Sequence, residues 1–284
     1  MHAYPLTTAD WLSEHLYDPN VRVLDASWYL PSDARDTRKE YKLEHIPGAE
    51  FFDIDRIADQ QTRLPHMMPS SENFAAAVEK LGIGDENFIV IYDTKGVYSS
   101  ARVWWAFHAM GHENCAVLDG GLKKWRTKKN PTTASLHEPG QGSFNPTPKL
   151  DILRTRYQML KCIETGSEQV LDARSPSRFE GLEQEPRPDV KPGHIPGSYN
   201  IYYSDLVNDD GTMRSVNELR AFFYKSRIDL SRPIVTTCGS GITAAIVFLA
   251  AKIAGASQLA LYDGSWAEWG SMQDALIETG PGRT

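Results

Sequence analysis

Val23-Leu24-Asp25-Ala26-Ser27 returns later in the chain as Val170-Leu171-Asp172-Ala173-Arg174. Working outward from this pair, Glu44-His45-Ile46-Pro47-Gly48-Ala49 returns as Gly193-His194-Ile195-Pro196-Gly197-Ser198. Ile89-Val90-Ile91-Tyr92-Asp93 aligns with Ile234-Val235-Thr236-Thr237-Cys238, and Leu118-Asp119-Gly120-Gly121 through Trp125 with Tyr262-Asp263-Gly264-Ser265 through Trp269. The four pairs keep their order and nearly the same spacing, which chance does not readily produce. The chain therefore reads as two copies of one domain.

Each copy alternates short β-branched runs with helical stretches. In the first, residues 21–25, 49–52, 88–92 and 115–118 read as strands. Residues 8–16, 71–81 and 99–110 read as helices. Over 71–81, Phe74, Ala77, Val78 and Leu81 recur at helical spacing, with Ser71 as the expected N-cap. Strands separated by helices predict an α/β fold in which each domain is a mainly parallel sheet flanked by helices. The Gly- and Pro-rich stretch 138–150 is the expected linker between domains at 1–137 and 151–284.

The copies differ where the third motif ends. In the second, the run Pro233-Ile234-Val235-Thr236-Thr237 stops at Cys238, and Gly239-Ser240-Gly241-Ile242-Thr243 leads into an apolar helix over residues 244–254. A cysteine thus sits where a strand hands over to a helix, where ligands of parallel sheets bind. Glycines at 239 and 241 let the backbone curl so that its N–H groups point inward as an anion nest. The helix macrodipole adds to a field that favours negative charge on the sulfur. This points to a nucleophilic cysteine; a packed structural cysteine is the alternative. The first copy has Asp93 at this place, followed by Thr94-Lys95-Gly96-Val97-Tyr98, and offers no thiol there. It is expected to be chemically silent.

Composition sets the remaining bounds. The chain has 284 residues, 41% hydrophobic and 24% charged, with a net charge of −7. That balance suits a globular domain pair and gives no sign of a nucleic-acid or anionic-membrane surface. Cys115, Cys162 and Cys238 form neither a metal-ligand spacing nor an even disulfide set, as expected in a reducing compartment. Cys115 and Cys162 read as packed small hydrophobes. No signal peptide or membrane-length apolar run is visible, so a cytoplasmic protein is expected. No Gly-Lys-Ser/Thr follows the turn, excluding a phosphate loop of that type. Ala244 stands where phosphatases with a related loop need an arginine.

The cysteine loop, the paired His-Ile-Pro-Gly segments and Tyr262-Asp263-Gly264-Ser265-Trp266-Ala267-Glu268-Trp269 resemble the two-domain rhodanese superfamily, and within it the sulfurtransferases that use 3-mercaptopyruvate. The resemblance covers residues 1–275. It implies two tandem rhodanese-like domains, the first inactive and the second carrying the cysteine. It implies transfer of sulfur from 3-mercaptopyruvate to Cys238 as a persulfide, release of pyruvate, and passage to a thiol such as thioredoxin, or to cyanide. No cofactor and no metal are expected. Ile242 departs from the valine usual in the family, by one methylene.

The resemblance also distributes roles. Cys238, Ser240, His66 and Asp55 are the implied catalytic set, the last three as an Asp-His-Ser relay with two members from the first copy. Arg178 and Arg187 are the implied carboxylate grip, and Gly239, Gly241, Ile242 and Thr243 the remaining substrate-binding positions. An arginine fork suits a carboxylate. Read bare, the two arginines are suited to solvation or to pairing with Glu180, Glu183 or Glu185. Thiosulfate-preferring relatives carry cations just after the cysteine, where this chain has Gly239 and Ser240. A thiosulfate sulfurtransferase, or a persulfide carrier without turnover, are the alternatives. His45 and His194, each before Ile-Pro-Gly, read as structural.

Overall fold

The computed structural model describes residues 4–283. Ten strands form two five-stranded sheets. In the first are β1 (Leu6–Thr7), β2 (Val21–Asp25), β3 (Ala49–Phe51), β4 (Phe88–Tyr92) and β5 (Cys115–Leu118), in spatial order β1-β5-β4-β2-β3. In the second are β6 (Leu153–Arg154), β7 (Gln169–Asp172), β8 (Tyr199–Asn200), β9 (Ile234–Thr237) and β10 (Leu259–Tyr262), in order β6-β10-β9-β7-β8. Every pairing within both sheets is parallel. The two orders are one order under the sequence repeat, so the fold expected from the repeat is the fold observed.

In such an order the chain first builds outward from the second strand, then crosses to its other side. The switch point of the second sheet therefore lies between β7 and β9, where a crevice opens at the strand ends. Asp172 is in register with Thr237 at that edge. The residues that follow them, Ala173-Arg174 and Cys238-Gly239, emerge side by side.

The core dictates where the strands sit. In β4 and β9 all strand residues are buried, as expected for central parallel strands covered on both faces. Helix Ala244–Ala254 buries every residue except Lys252. Each buried Ile, Val, Leu or Phe there contributes about 1.5–3 kcal/mol, which fixes the helix start beneath the Cys238 loop. Trp125 in the first unit and Trp266 and Trp269 in the second plug equivalent places under the sheets.

Two local expectations shift. Helix Ser71–Glu79 is capped by Ser70, whose hydroxyl accepts the Asn73 N–H, and not by Ser71. Two adjacent serines offer the same chemistry, and the residue with extended backbone takes the cap. The edge strands β1 and β6 were not visible in the sequence, because two residues carry no periodicity.

The chain forms two compact units. One comprises residues through Gln60, Met68–Lys149 and Asn208–Met213; the other comprises Gln61–Met67, Leu150–Val207 and the chain from Arg214 onward. His66 thus belongs to the second unit. Part of the stretch expected to link the domains is folded onto the first: Phe144 is buried, and Asn145 bonds Asp85 through backbone and side chain. Among the described residues no helix is long and apolar enough to cross a membrane.

Candidate active site

Cys238 leaves β9 directly, 1% exposed. Its Sγ accepts the Gly241 N–H at 3.1 Å, and Gly241 reaches this position with φ of +84°. A side chain at 241 would strain that left-handed backbone. Gly239 is needed for a different reason than curl. Its backbone is not left-handed, but a Cβ there would meet Arg178 Nη2 at 3.1 Å. The loop is held from behind by the Tyr262–Trp269 stretch. Cys238 N–H donates to Ser265 Oγ, the Cys238 carbonyl accepts Trp266 N–H at 2.8 Å, and the Gly239 carbonyl accepts Ala267 N–H at 2.9 Å.

The equivalent loop of the first unit shows what such a turn does with an anion. Asp93 is 1% exposed, and its carboxylate accepts the N–H groups of Lys95, Gly96, Tyr98 and Ser100 and the Ser100 hydroxyl. Burial raises its titration above the usual carboxylate range, and the hydrogen bonds pull the other way. The i+3 amide that meets sulfur in one unit, Gly241, corresponds to the i+3 amide that meets carboxylate in the other, Gly96. A cavity of about 710 Å³ lies beside Thr94, but each of its cations is already engaged. Arg35 pairs with Glu40, Arg126 with Glu44, and Lys123 donates to the Asp209 carbonyl.

His66 and Ser240 come together within the second unit. Both are buried, and His66 Nδ1 lies 3.0 Å from Ser240 Oγ and 3.3 Å from its carbonyl oxygen. His66 adopts φ of +60° to reach this place. A histidine held in the left-handed region marks a site where geometry outweighs local backbone preference. Asp55 lies in the first unit, where its carboxylate accepts the Trp28 indole N–H.

The two arginines differ sharply. Arg178 donates Nε and Nη2 to Glu185, at 3.3 and 2.5 Å. Glu185 also accepts Arg174 Nη1 at 2.9 Å, and Arg174 is 2% exposed. Arg174 is further clamped by Asp172, by the Gly193 carbonyl, and by its stacking over Trp266 at 4.3 Å. Burial works against its charge, but Asp172 and Glu185 more than offset this and raise its titration. Arg187 is half-buried and makes no hydrogen bond or ion pair with any described residue. Burial lowers its titration from the ordinary arginine value; Cys238 lies near enough to raise it again, and Arg178 to lower it. At any ordinary pH it stays charged. A charged, half-buried fork near a sulfur, with no hydrogen-bond or ion-pair partner among the described residues, is arranged to receive an anion.

Arg174 and Glu185 were not legible as site residues. The signal was present in the repeat: where the first copy has Ser27, which bonds Asp25 through its N–H, the second has Arg174. Cys115 and Cys162 are both buried and outside any disulfide. His45 and His194 bond the carbonyls of Tyr41 and Phe179.

Comparisons with known proteins identify the family. The rhodanese-like domain family matches residues 8–128 and 155–272. The 3-mercaptopyruvate sulfurtransferase of Homo sapiens is 40% identical, across 98% of this chain and 97% of its own. The thiosulfate sulfurtransferase of Mus musculus is 39% identical, across 93% and 91%. The crystal structure of the Escherichia coli 3-mercaptopyruvate sulfotransferase SseA superposes with a TM-score of 0.85 at 34% identity, covering 93% of this chain and 99% of SseA. With both halves matched and the sheet order repeated, the chain belongs to the rhodanese family, as two tandem rhodanese-like domains.

Proposed function

We propose that the protein is a sulfurtransferase that takes sulfur from 3-mercaptopyruvate through a Cys238 persulfide and releases pyruvate. The observation that carries this reading is Arg187, a half-buried guanidinium with no partner among the described residues, close enough to Cys238 for the two to interact electrostatically. A donor with a carboxylate and an adjacent carbonyl fits a planar fork beside the sulfur.

The Cys238 thiolate attacks the donor sulfur, the S–S bond forms, and the carbon–sulfur bond breaks with its electron pair moving into the enolate of pyruvate. The proton of the donor thiol ends on the pyruvate methyl carbon, leaving a persulfide anion on Cys238. Ser240 carries this proton, with His66 Nδ1 polarising its hydroxyl from 3.0 Å. Asp55 enters as the acid of the relay on the family resemblance alone. Gly241 supplies an N–H to the sulfur, and Ile242 and Thr243 bring the helix start behind it. A thiol such as thioredoxin, or cyanide, then attacks the outer sulfur and restores the cysteine.

Thiosulfate use is the second reading, favoured by the 39% identity to the mouse thiosulfate sulfurtransferase. Against it stand the uncharged Gly239 and Ser240. A lactate dehydrogenase-coupled assay decides between them: pyruvate release from 3-mercaptopyruvate with an acceptor thiol is expected, and kcat/KM higher than for thiosulfate. Sulfur transfer from thiosulfate alone would leave the second reading standing.

A further inference from the structure

We propose that Glu185 is a donor-specificity residue that makes the two arginines beside Cys238 unequal, so that the site accepts a monoanionic donor in preference to a dianion. This role rests on the proposed use of 3-mercaptopyruvate.

Three observations carry it. First, Glu185 is anchored from below: its side chain is 3% exposed, and the buried Arg174 holds it at 2.9 Å while being held itself by Asp172. A buried carboxylate pinned between two guanidiniums is held in position. Second, Glu185 takes the Nε–Nη2 edge of Arg178, the edge that would otherwise receive a carboxylate in bidentate fashion. Arg178 is left with its remaining N–H groups and its charge, and its Nη2 lies 3.1 Å from where a Cβ at Gly239 would be. Arg187, two residues past Glu185, keeps its whole fork. Third, Glu185 subtracts one positive charge from the site. The guanidiniums of Arg174, Arg178 and Arg187 are offset by the carboxylates of Asp172 and Glu185 and by the attacking Cys238 thiolate, so no surplus positive charge remains to offset a second negative charge on the donor. Arg187 can still take one carboxylate through its fork, whereas thiosulfate brings two charges and no carboxylate.

The repeat supports this as a property of the second unit. The first has Ser27 in place of Arg174, bonded to Asp25 through its N–H, so the anchor for such a glutamate is missing there.

The experiment measures kcat/KM for 3-mercaptopyruvate and for thiosulfate in the parent, Glu185→Gln, Glu185→Asp and Arg178→Met. Glu185→Gln keeps an acceptor of the same shape but adds one net positive charge, and the ratio of thiosulfate to 3-mercaptopyruvate use rises roughly tenfold. Glu185→Asp keeps the charge, and its ratio stays near that of the parent even where both activities fall. Arg178→Met moves the ratio the other way, because Arg178 acts mainly as a charge and the dianion loses more. A glutamate that only supports the loop would depress both donors equally in all three variants, and that result overturns the proposal. Should Glu185→Gln not fold, the Arg178→Met ratio alone decides: an unmoved ratio or one shifted toward thiosulfate refutes it. If the parent releases no pyruvate, the reading of function is what has failed. The role of Glu185 is then read on thiosulfate alone, where Glu185→Gln still has to raise kcat/KM and an unchanged value refutes it.

Discussion

Arg187→Ala separates substrate binding from fold more cleanly than any other change in the site. Most arginines here cannot be removed without orphaning a partner: loss of Arg174 would leave Asp172 and Glu185 buried and uncompensated. Arg187 makes no bond to a described residue, so its loss leaves no protein group unsatisfied. The cost then falls on the donor. A hydrogen bond to a charged group contributes about 1.5–3 kcal/mol. At about 1.4 kcal/mol per tenfold, kcat/KM for 3-mercaptopyruvate should fall roughly tenfold to 150-fold, mainly through KM. The melting temperature should stay close to that of the parent. Thiosulfate has no carboxylate to fork and should lose less. Steady-state kinetics with both donors, beside a thermal melt, make the test. A loss equal for both donors, or a melt lowered by many degrees, would refute the reasoning and make Arg187 a structural residue.

Gly239→Ala pushes a Cβ to within 3.1 Å of Arg178 Nη2, whose far end is pinned by Glu185; turnover should drop with little change in melting, and an unaltered KM for both donors would show the contact to be slack. Asp93→Ala leaves four N–H donors, three of them buried, without their acceptor and should destabilise the protein by about 3 kcal/mol or more in denaturant titrations, while cysteine sulfuration persists; loss of the persulfide in folded protein would contradict a chemically silent first unit. Asp25 gives a pH signature. Burial raises it from 3.8 to about 6, so the folded state binds the extra proton across that window. The stability this contributes is full below the unfolded value and is lost as pH rises through about 6. Relative to Asp25→Asn, the parent should therefore lose about 2 kcal/mol between pH 4 and pH 7; equal pH slopes for the two proteins would show that Asp25 ionises freely.

The fold was legible because parallel strands buried on both faces leave unbroken apolar runs, and because four motifs return in order. Cys238 was legible for a related reason: a thiol at the end of such a run, before glycines and an apolar helix, stands where parallel sheets place their reactive groups. What escaped the sequence depends on where loops travel. The short edge strands carry no pattern. The unit to which residues 61–67 belong is a matter of chain path, so His66, read as a first-domain residue, lies with Ser240 in the second unit. Glu185 stood among three acids near Arg178 and Arg187, and nothing local said that it faces inward while Glu180 and Glu183 do not take that place. Gly239 was read as a flexible turn residue, whereas the structure uses its missing Cβ to make room for a guanidinium. The divergence of Ser27 to Arg174 within an otherwise faithful repeat was the one available clue to that network.

Sulfur is expected to pass through Cys238. Intact-mass spectrometry of the protein after treatment with 3-mercaptopyruvate, without acceptor, measures it most directly. One added sulfur atom is expected on the parent, mapped to the peptide containing Cys238 and removed by cyanide, and none on Cys238→Ser. A stable added sulfur on the Cys238→Ser protein, or one mapping to Cys115 or Cys162 in the parent, would contradict the account.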